Sequence, residues 1–236
     1  MAELVRQSLT RVPLGAGWSA TLGCVEAGPP LGQLVGLWVV GDWLVLATAQ
    51  ADPEVGPAVG QLIANMAGLL TDYDVHEHLQ DGRLPEEHLR ARIRAGLFTI
   101  QENFGPRCQG ATVLALRVAG EHALVLALST ADVHLADARR TDGPARQLLR
   151  TRAGDLEPHS PGLREPAAVR ARLPLPAQLW LLAGQLLPGA GPVDLQFTNR
   201  DAAAAIGQLC AGQLETTRFQ AVSVLIRDSN ASQRGS

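Results

Sequence analysis

The run from Gly110 to Ala136, GATVLALRVAGEHALVLALSTADVHLA, constrains the fold more than any other part of the chain. Thr112, Leu114, Leu116 and Val118 alternate with Val113, Ala115 and Arg117, the two-residue period of a β-strand. Ala119-Gly120-Glu121 supplies a short turn, and His122, Leu124, Leu126 and Leu128 repeat the alternation. The chain turns again through Ser129-Thr130-Ala131-Asp132 and re-enters a strand at Val133 to Ala136. Both faces of the hairpin are largely apolar, so each needs a cover of helices or a second sheet. Residues 110 to 136 are therefore expected in the middle of one sheet that faces another.

Upstream, residues 1 to 15 read as irregular or as a short edge element. Trp18 to Ala27 predicts a strand, and Gln33 to Val40 with Trp43 to Ala49 predicts a hairpin across Gly41-Asp42. Val59, Leu62, Ile63, Met66, Leu69 and Leu70 then follow helical spacing. A second helix is predicted over 86–104, with Pro85 at its first position, Leu89, Ile93, Leu97, Ile100 and Phe104 as its apolar stripe, and Gly105-Pro106 as its stop. Downstream, Gln147 to Arg150 is a short strand, Thr151 to Arg170 a surface loop and Gln178 to Ala183 a strand. Asp201 to Leu214 follows as a helix capped by Asn199, and Phe219 to Arg227 as the last strand. Helices grouped between blocks of strands argue against a doubly wound sheet. The expected class is α+β: a four-layer α-β-β-α sandwich of two antiparallel sheets flanked by helices. One domain over 1–228 and a polar tail over 229–236 complete the expectation.

A chain of 236 residues, 46% hydrophobic and 18% charged, suits one compact domain rather than a disordered segment. A net charge of −3 gives no electrostatic case for nucleic acid. Cys24, Cys108 and Cys210 are scattered without CxxC spacing, which points to reduced thiols. No apolar run reaches the roughly 20 residues of a membrane span or the pattern of a signal peptide. The expected location is cytoplasmic, away from membranes.

In element order and in five local stretches, residues 40 to 227 resemble the metal-dependent protein phosphatases of the type 2C, or PPM, family. Leu44 to Ala51, LVLATAQA, stands where that family has a strand ending in Ala-Asp-Gly. Gly110-Ala111-Thr112 resembles its Gly-Thr-Thr opening, and Ser129-Thr130-Ala131-Asp132 its Gly-Asp-Ser-Arg turn. Arg146 to Arg150 resembles the approach to its Asp-His-Ser segment, replaced here by Thr151-Arg152-Ala153. Leu179 to Leu187 and Gln220 to Ile226 resemble the strands carrying its last metal-binding aspartates.

By this resemblance the expected aspartates fall on Gln50, Gln185 and Gln220, and the Asn after the last one on Ala221. The family's chemistry needs two divalent cations held by carboxylates, and neutral amides bring no charge to hold them. The implied protein is a pseudophosphatase with no metal cofactor and no catalytic residues, acting as a binding or regulatory module. Its implied partner is a protein: a phosphoprotein, a kinase or an assembly. The alternative is a divergent Mn- or Mg-dependent Ser/Thr phosphatase using carboxylates such as Glu26, Asp52 or Asp194. A hydrolase of the proteasome-like type ranks last, because Met1-Ala2 offers no N-terminal nucleophile without processing.

Other candidates have plainer readings. Asp72, Asp74, His76, Glu77 and His78 have metal-ligand chemistry, but no second His or Cys cluster stands ready to complete a site. Ser129 and Thr130 read as turn hydroxyls bonding their own backbone. Arg90, Arg92, Arg94 and Arg107 read as a solvated helix face, with Glu86 and Arg90 spaced as an i,i+4 pair, rather than as a phosphate site. Trp18, Trp38, Trp43 and Trp180 sit in strand patterns and read as core.

Overall fold

The computed structural model describes residues 4–27, 34–71, 83–137, 146–151, 153–184 and 219–229. Two antiparallel sheets stack face to face, and among the described residues two helices cover the outer face of the five-stranded one. The α+β class and the paired antiparallel sheets are those the sequence predicts. The helix expected over Asp201 to Leu214 and the tail from residue 230 fall outside the described residues.

Sheet A has six strands, in the order β1 (Leu4–Gly15), β2 (Trp18–Ala27), β13 (Phe219–Asp228), β12 (Ala177–Gly184), β7 (Val133–Asp137) and β8 (Arg146–Thr151). Sheet B has five, in the order β11 (Ala167–Pro174), β6 (His122–Ser129), β5 (Cys108–Ala119), β4 (Trp43–Ala51) and β3 (Leu34–Val40). Leu44, Leu46, Leu114, Leu116 and Val125 of sheet B meet Leu135, Leu179, Leu181, Val224 and Ile226 of sheet A in the inter-sheet core. On the other face of sheet B lie α1 (Gly56–Thr71) and α2 (Glu86–Phe104). Leu89, Ile93, Leu97 and Ile100 of α2 are fully buried there, beside Val59 and Ile63 of α1, against Val45, Ala47, Val113 and Leu128. Each such side chain contributes about 1.5–3 kcal/mol of burial. Pro85 is the cap preceding α2 rather than its first residue, and Glu86 and Glu87 occupy the first turn.

Three sequence expectations are corrected. The strands of the 110–136 run do not share a sheet: β5 and β6 lie in sheet B, whereas β7 lies in sheet A. The turn at 129–132 carries the chain across the core. Alternation tells which residues share a face, not which sheet a strand joins. Residues 4–15, expected to be irregular or a short edge element, form a long edge strand paired with β2 from Leu4↔Ala27 to Gly15↔Trp18. An edge strand uses one side of its backbone only, so Pro13 and the charges that blur the pattern are tolerated.

The third correction concerns 151–170, expected to be a surface loop. β9 (Pro158–Ser160) and β10 (Leu163–Arg164) form a two-stranded ribbon, and β11 follows at Ala167. Distant partners hold the ribbon, and local composition does not show them. Arg94 Nε and Nη2 donate to the two carboxylate oxygens of Glu165 at 2.6 and 2.7 Å. Gln101 donates to the Arg164 carbonyl and accepts from the Arg164 N–H, both at 2.8 Å.

Trp43 and Trp180 are buried core residues, while Trp18 and Trp38 are partly buried against the two cores. Trp43 Nε1 donates to the Leu84 carbonyl at 3.0 Å, and the Arg117 guanidinium stacks on its ring at 4.5 Å. Arg117 also reaches Asp42, whose other carboxylate oxygen accepts from the Leu84 N–H. This cluster ties the β3–β4 turn to the entry of α2.

Candidate functional site

Strand direction gathers several segments at one end of the sandwich. There β4 ends, β5 begins, β6 ends and β7 begins. In sheet A, Val133 pairs with Ala183 of β12, and Ala183 with Gln220 of β13. Gln50 and the backbone of Gln220 therefore stand at the same end. Gln185 and the side chain of Gln220 lie outside the described residues.

Along the inter-sheet face of sheet B, leucines give way at this end to Thr48, Gln50, Thr112 and Ser129. Thr48, Thr112 and Ser129 form one cross-strand row. All four side chains are buried, and an unpaired buried polar group costs about 1–3 kcal/mol. The Thr112 and Ser129 hydroxyl oxygens lie 2.8 Å apart, and Ser129 Oγ accepts from the Ala131 N–H at 3.1 Å. Thr130 Oγ1 accepts from the Ala111 N–H at 3.0 Å, while the Thr130 N–H donates to the Ala111 carbonyl at 2.9 Å. The turn hydroxyls thus serve backbone, the role their sequence context suggests.

Gln50 Nε2 donates to the Asp132 carbonyl at 3.0 Å. A carbonyl oxygen only accepts, so the amide nitrogen must be the atom facing it. Gln50 thereby joins the end of β4 to the crossing turn, engaging the backbone of Asp132 and not its carboxylate. Gly110, paired with Gln50 across the strands, has φ +142° and lies tight against Thr130 and Ala131. The sequence reading did not find this polar row. Its signal was present: Thr48, Gln50, Thr112 and Ser129 interrupt the apolar half of the alternation at matching register.

The remaining candidates disperse. Asp52 is exposed beyond Ala51; its carbonyl accepts from the Val55 and Gly56 N–H groups, and its carboxylate lies 3.9 Å from Arg107 Nε. Its carboxylate is thus turned toward Arg107 and lies close enough to act on the Cys108 thiol. Arg94 engages Glu165 and Arg107 engages Glu54, so these two arginines are held in separate ion pairs. Glu86 is met by Arg170 Nε at 2.9 Å from across the fold. The segment 72–78, the side chain of Glu26, and Asp194 lie outside the described residues.

Three ionisable groups sit near this end. Burial pushes the Cys108 thiol up, making it a poor thiolate. Burial, and then the nearby Arg150 charge, hold His134 below the ordinary imidazole range. The hydrogen bond from Arg94 draws the Glu165 carboxyl down.

No protein-family model matches the chain, and no curated protein matches it. Solved structures do. The catalytic domain of the serine/threonine protein phosphatase PstP in complex with two manganese ions aligns at TM-score 0.52 and 16% identity, over 89% of this chain and 100% of that one. PppA, a key regulatory component of T6SS in Pseudomonas aeruginosa, aligns at TM-score 0.52 and 16% identity, over 88% and 97%. The phosphatase domain of the cell fate determinant SpoIIE from Bacillus subtilis aligns at TM-score 0.51 and 10% identity, over 90% and 94%. The fold is that of the PPM-type phosphatases.

A pair of divalent cations needs several anionic oxygens. The described part of this end offers an amide whose nitrogen is already bonded to backbone, the buried hydroxyls of Thr48, Thr112, Ser129 and Thr130, and two separate carboxylates, Asp132 on the crossing turn and Asp52 beyond β4. Among the described residues no group of three His, Cys, Asp or Glu side chains converges. The two separate carboxylates that the described residues bring to this end do not by themselves fit two divalent ions. No helix among the described residues is long and apolar enough to cross a membrane.

Proposed function

We propose that the chain is a pseudophosphatase: a PPM-type fold whose metal site has given way to a neutral polar one, acting as a cytoplasmic binding or regulatory module for a protein partner, a phosphoprotein or a kinase. The observation that carries this reading is the Gln50–Asp132 hydrogen bond. At the end of β4, where the fold's chemistry calls for a carboxylate, the side chain is neutral. Its donor end is committed to the crossing turn, which it stabilises as an ordinary buried hydrogen bond would, by about 1 kcal/mol.

Calorimetric titration with Mn tests the reading, paired with hydrolysis of p-nitrophenyl phosphate in the same buffer. Expected are no binding tighter than millimolar, about −4 kcal/mol, and no Mn-dependent turnover. A stoichiometric micromolar site with Mn-dependent hydrolysis would replace this reading with that of a divergent Mn- or Mg-dependent Ser/Thr phosphatase. Gln50, Gln185 and Gln220 changed together to Asp provide the complementary test. If the three converge, the mutant melts below wild type, because like charges crowd together, and Mn restores part of the loss by binding only the folded state. A mutant that melts like wild type and ignores Mn shows that the three positions do not form a site.

A further inference from the structure

The two large sheets have four edge strands, and three of them are guarded. β1 carries Arg6, Arg11 and Pro13, β8 carries Arg146 and Arg150, and β11 carries Arg170 and Arg172. Charge and proline on an edge keep a second strand from pairing with it. β3, LVGLWVV, has neither, and its one irregularity lies at its start, between Leu34 and Gly36. A two-residue turn joins it to β4, with Val40 paired to Trp43. Counting back from that turn, Val40, Trp38 and Gly36 direct their backbone groups to β4, while Leu37 and Val39 turn theirs outward. Among the described residues Val39 is also the one large hydrophobic side chain left exposed, at 56%.

The helix beside this edge has the same character. α1 packs along β3 and β4 and has no charged residue in its 16 positions. α2, which covers the same sheet, carries Glu86, Glu87, Arg90, Arg92, Arg94 and Glu102. A solvated helix face ordinarily carries charge, as α2 does. The exposed residues of α1 include Pro57, Ala58, Gln61 and Asn65, and the two amides bond each other at 2.9 Å. Trp38, on the helix side of the edge strand, is half-buried with its ring against Gly36, where a Cβ would stand 1.7 Å from it.

We propose that β3 and α1 form the interface of a two-fold homodimer in which sheet B runs on through both copies. Antiparallel pairing of β3 with its own copy, about an axis at Trp38, sets Leu37 opposite Val39 twice, and the outward groups of both residues are then bonded. No like charges meet, because the strand has none. An axis perpendicular to the sheet keeps both helical layers on one face, so α1 lies beside its copy and no charge is buried there. A foreign strand would cover the edge and leave α1 bare; a second copy covers both at once. β3, with 7 residues, and α1, with 16, each run about 24 Å. A patch of that length and two layers deep, about 20 Å, gives about 1,000 Å² over both copies, the lower bound for a specific complex. This goes beyond the proposed function and holds whether or not the chain binds metal.

The test is sedimentation velocity of the full chain over about 1–100 μM. Expected is a monomer–dimer equilibrium in the micromolar range, as suits a small interface. Its dissociation constant should change less than about twofold between about 50 and 500 mM NaCl, because no ion pair contributes. Val39→Lys sets like charges across the axis, and Val39→Pro removes an N–H that serves only the second copy. Each should weaken the dimer at least about tenfold. Val39→Lys should leave the melting temperature of the dilute monomer within about 2 °C of wild type, so it decides the matter even if Val39→Pro fails to fold. Exchange of the Leu37 and Val39 amides, followed by NMR, should slow as concentration rises while that of the α2 amides stays constant. A chain that remains monomeric to about 100 μM overturns the proposal. So does a dimer that survives both substitutions, since its contact would lie on another surface.

Discussion

A Cβ placed on Gly110 would stand 2.4 Å from the carbonyl oxygen of Thr130. The neighbouring atoms are backbone, so no side chain can rotate out of the way, and φ of +142° is itself strained for any L side chain. Gly110→Ala should therefore cost about 3–5 kcal/mol in urea denaturation, combining overpacking and backbone strain. Gly120→Ala, where nothing lies within 4 Å and only the positive φ opposes it, should cost about 1–2 kcal/mol. Equal costs at the two positions would show that the β5 entry does not depend on this close approach.

Gln50→Asp exchanges a buried donor for a carboxylate facing the Asp132 carbonyl. At neutral pH it should destabilise the fold by about 2–4 kcal/mol. Burial raises the folded-state pKa of the new carboxyl, so the deficit against wild type should shrink as pH falls and the group takes up a proton. Parallel urea titrations at pH 7 and pH 5 measure this, and a deficit that grows in acid would contradict the assignment of the polar row.

Glu165 gives the ribbon an acid sensitivity of known sign. Its pKa is depressed by the Arg94 hydrogen bond. The contribution is complete above the ordinary value of 4.5 and is lost as pH falls through the lower folded value. Both partners are more than one-third exposed, so the pair is a modest contributor and should weaken with salt. After correction for intrinsic exchange rates, amides of 158–165 should lose protection in acid in wild type and show no such dependence in Glu165→Gln.

His134 gives an acid sensitivity of the same sign by a different cause. It is 4% exposed in β7, beside Arg150 of β8, and both burial and that charge resist its protonation. Near neutral pH the folded and unfolded forms are alike uncharged. Below about 6.5 the unfolded chain binds a proton that the fold refuses, and stability falls. His134→Gln should flatten the stability profile between pH 7 and pH 5, whatever its effect on absolute stability.

The elements packed by apolar periodicity were legible in the sequence. Leu89, Ile93, Leu97 and Ile100 announced the buried face of α2, and the alternation around Leu114 and Leu126 announced β5 and β6. Gln50 was singled out through a family resemblance, yet its partner, the Asp132 carbonyl, lies 82 residues away and no pattern links them. The ribbon was missed for a similar reason: Arg94 and Glu165 are 71 residues apart, and Pro, Gly and charge around them read locally as loop. β11 was missed because Ala168, Arg170 and Arg172 share its exposed side, so an edge strand resembled a solvated segment. Periodicity reports the face a residue occupies; it does not report the sheet a strand joins, as β7 shows.

The strand order of sheet A has a consequence for how the domain is made. β2 lies between β1 and β13, so an interior position in that sheet is filled by residues 219–228. During synthesis the β1–β2 hairpin emerges long before the strand that will flank it. Until then β2 exposes a row of unpaired N–H and C=O groups, with Ala20 and Leu22 lacking their partners in the inter-sheet core. The closing step joins segments about 200 residues apart, and separations of this size slow folding. Nascent chains that stop short of Phe219 are the form of this protein most exposed to edge-to-edge aggregation and most in need of a chaperone.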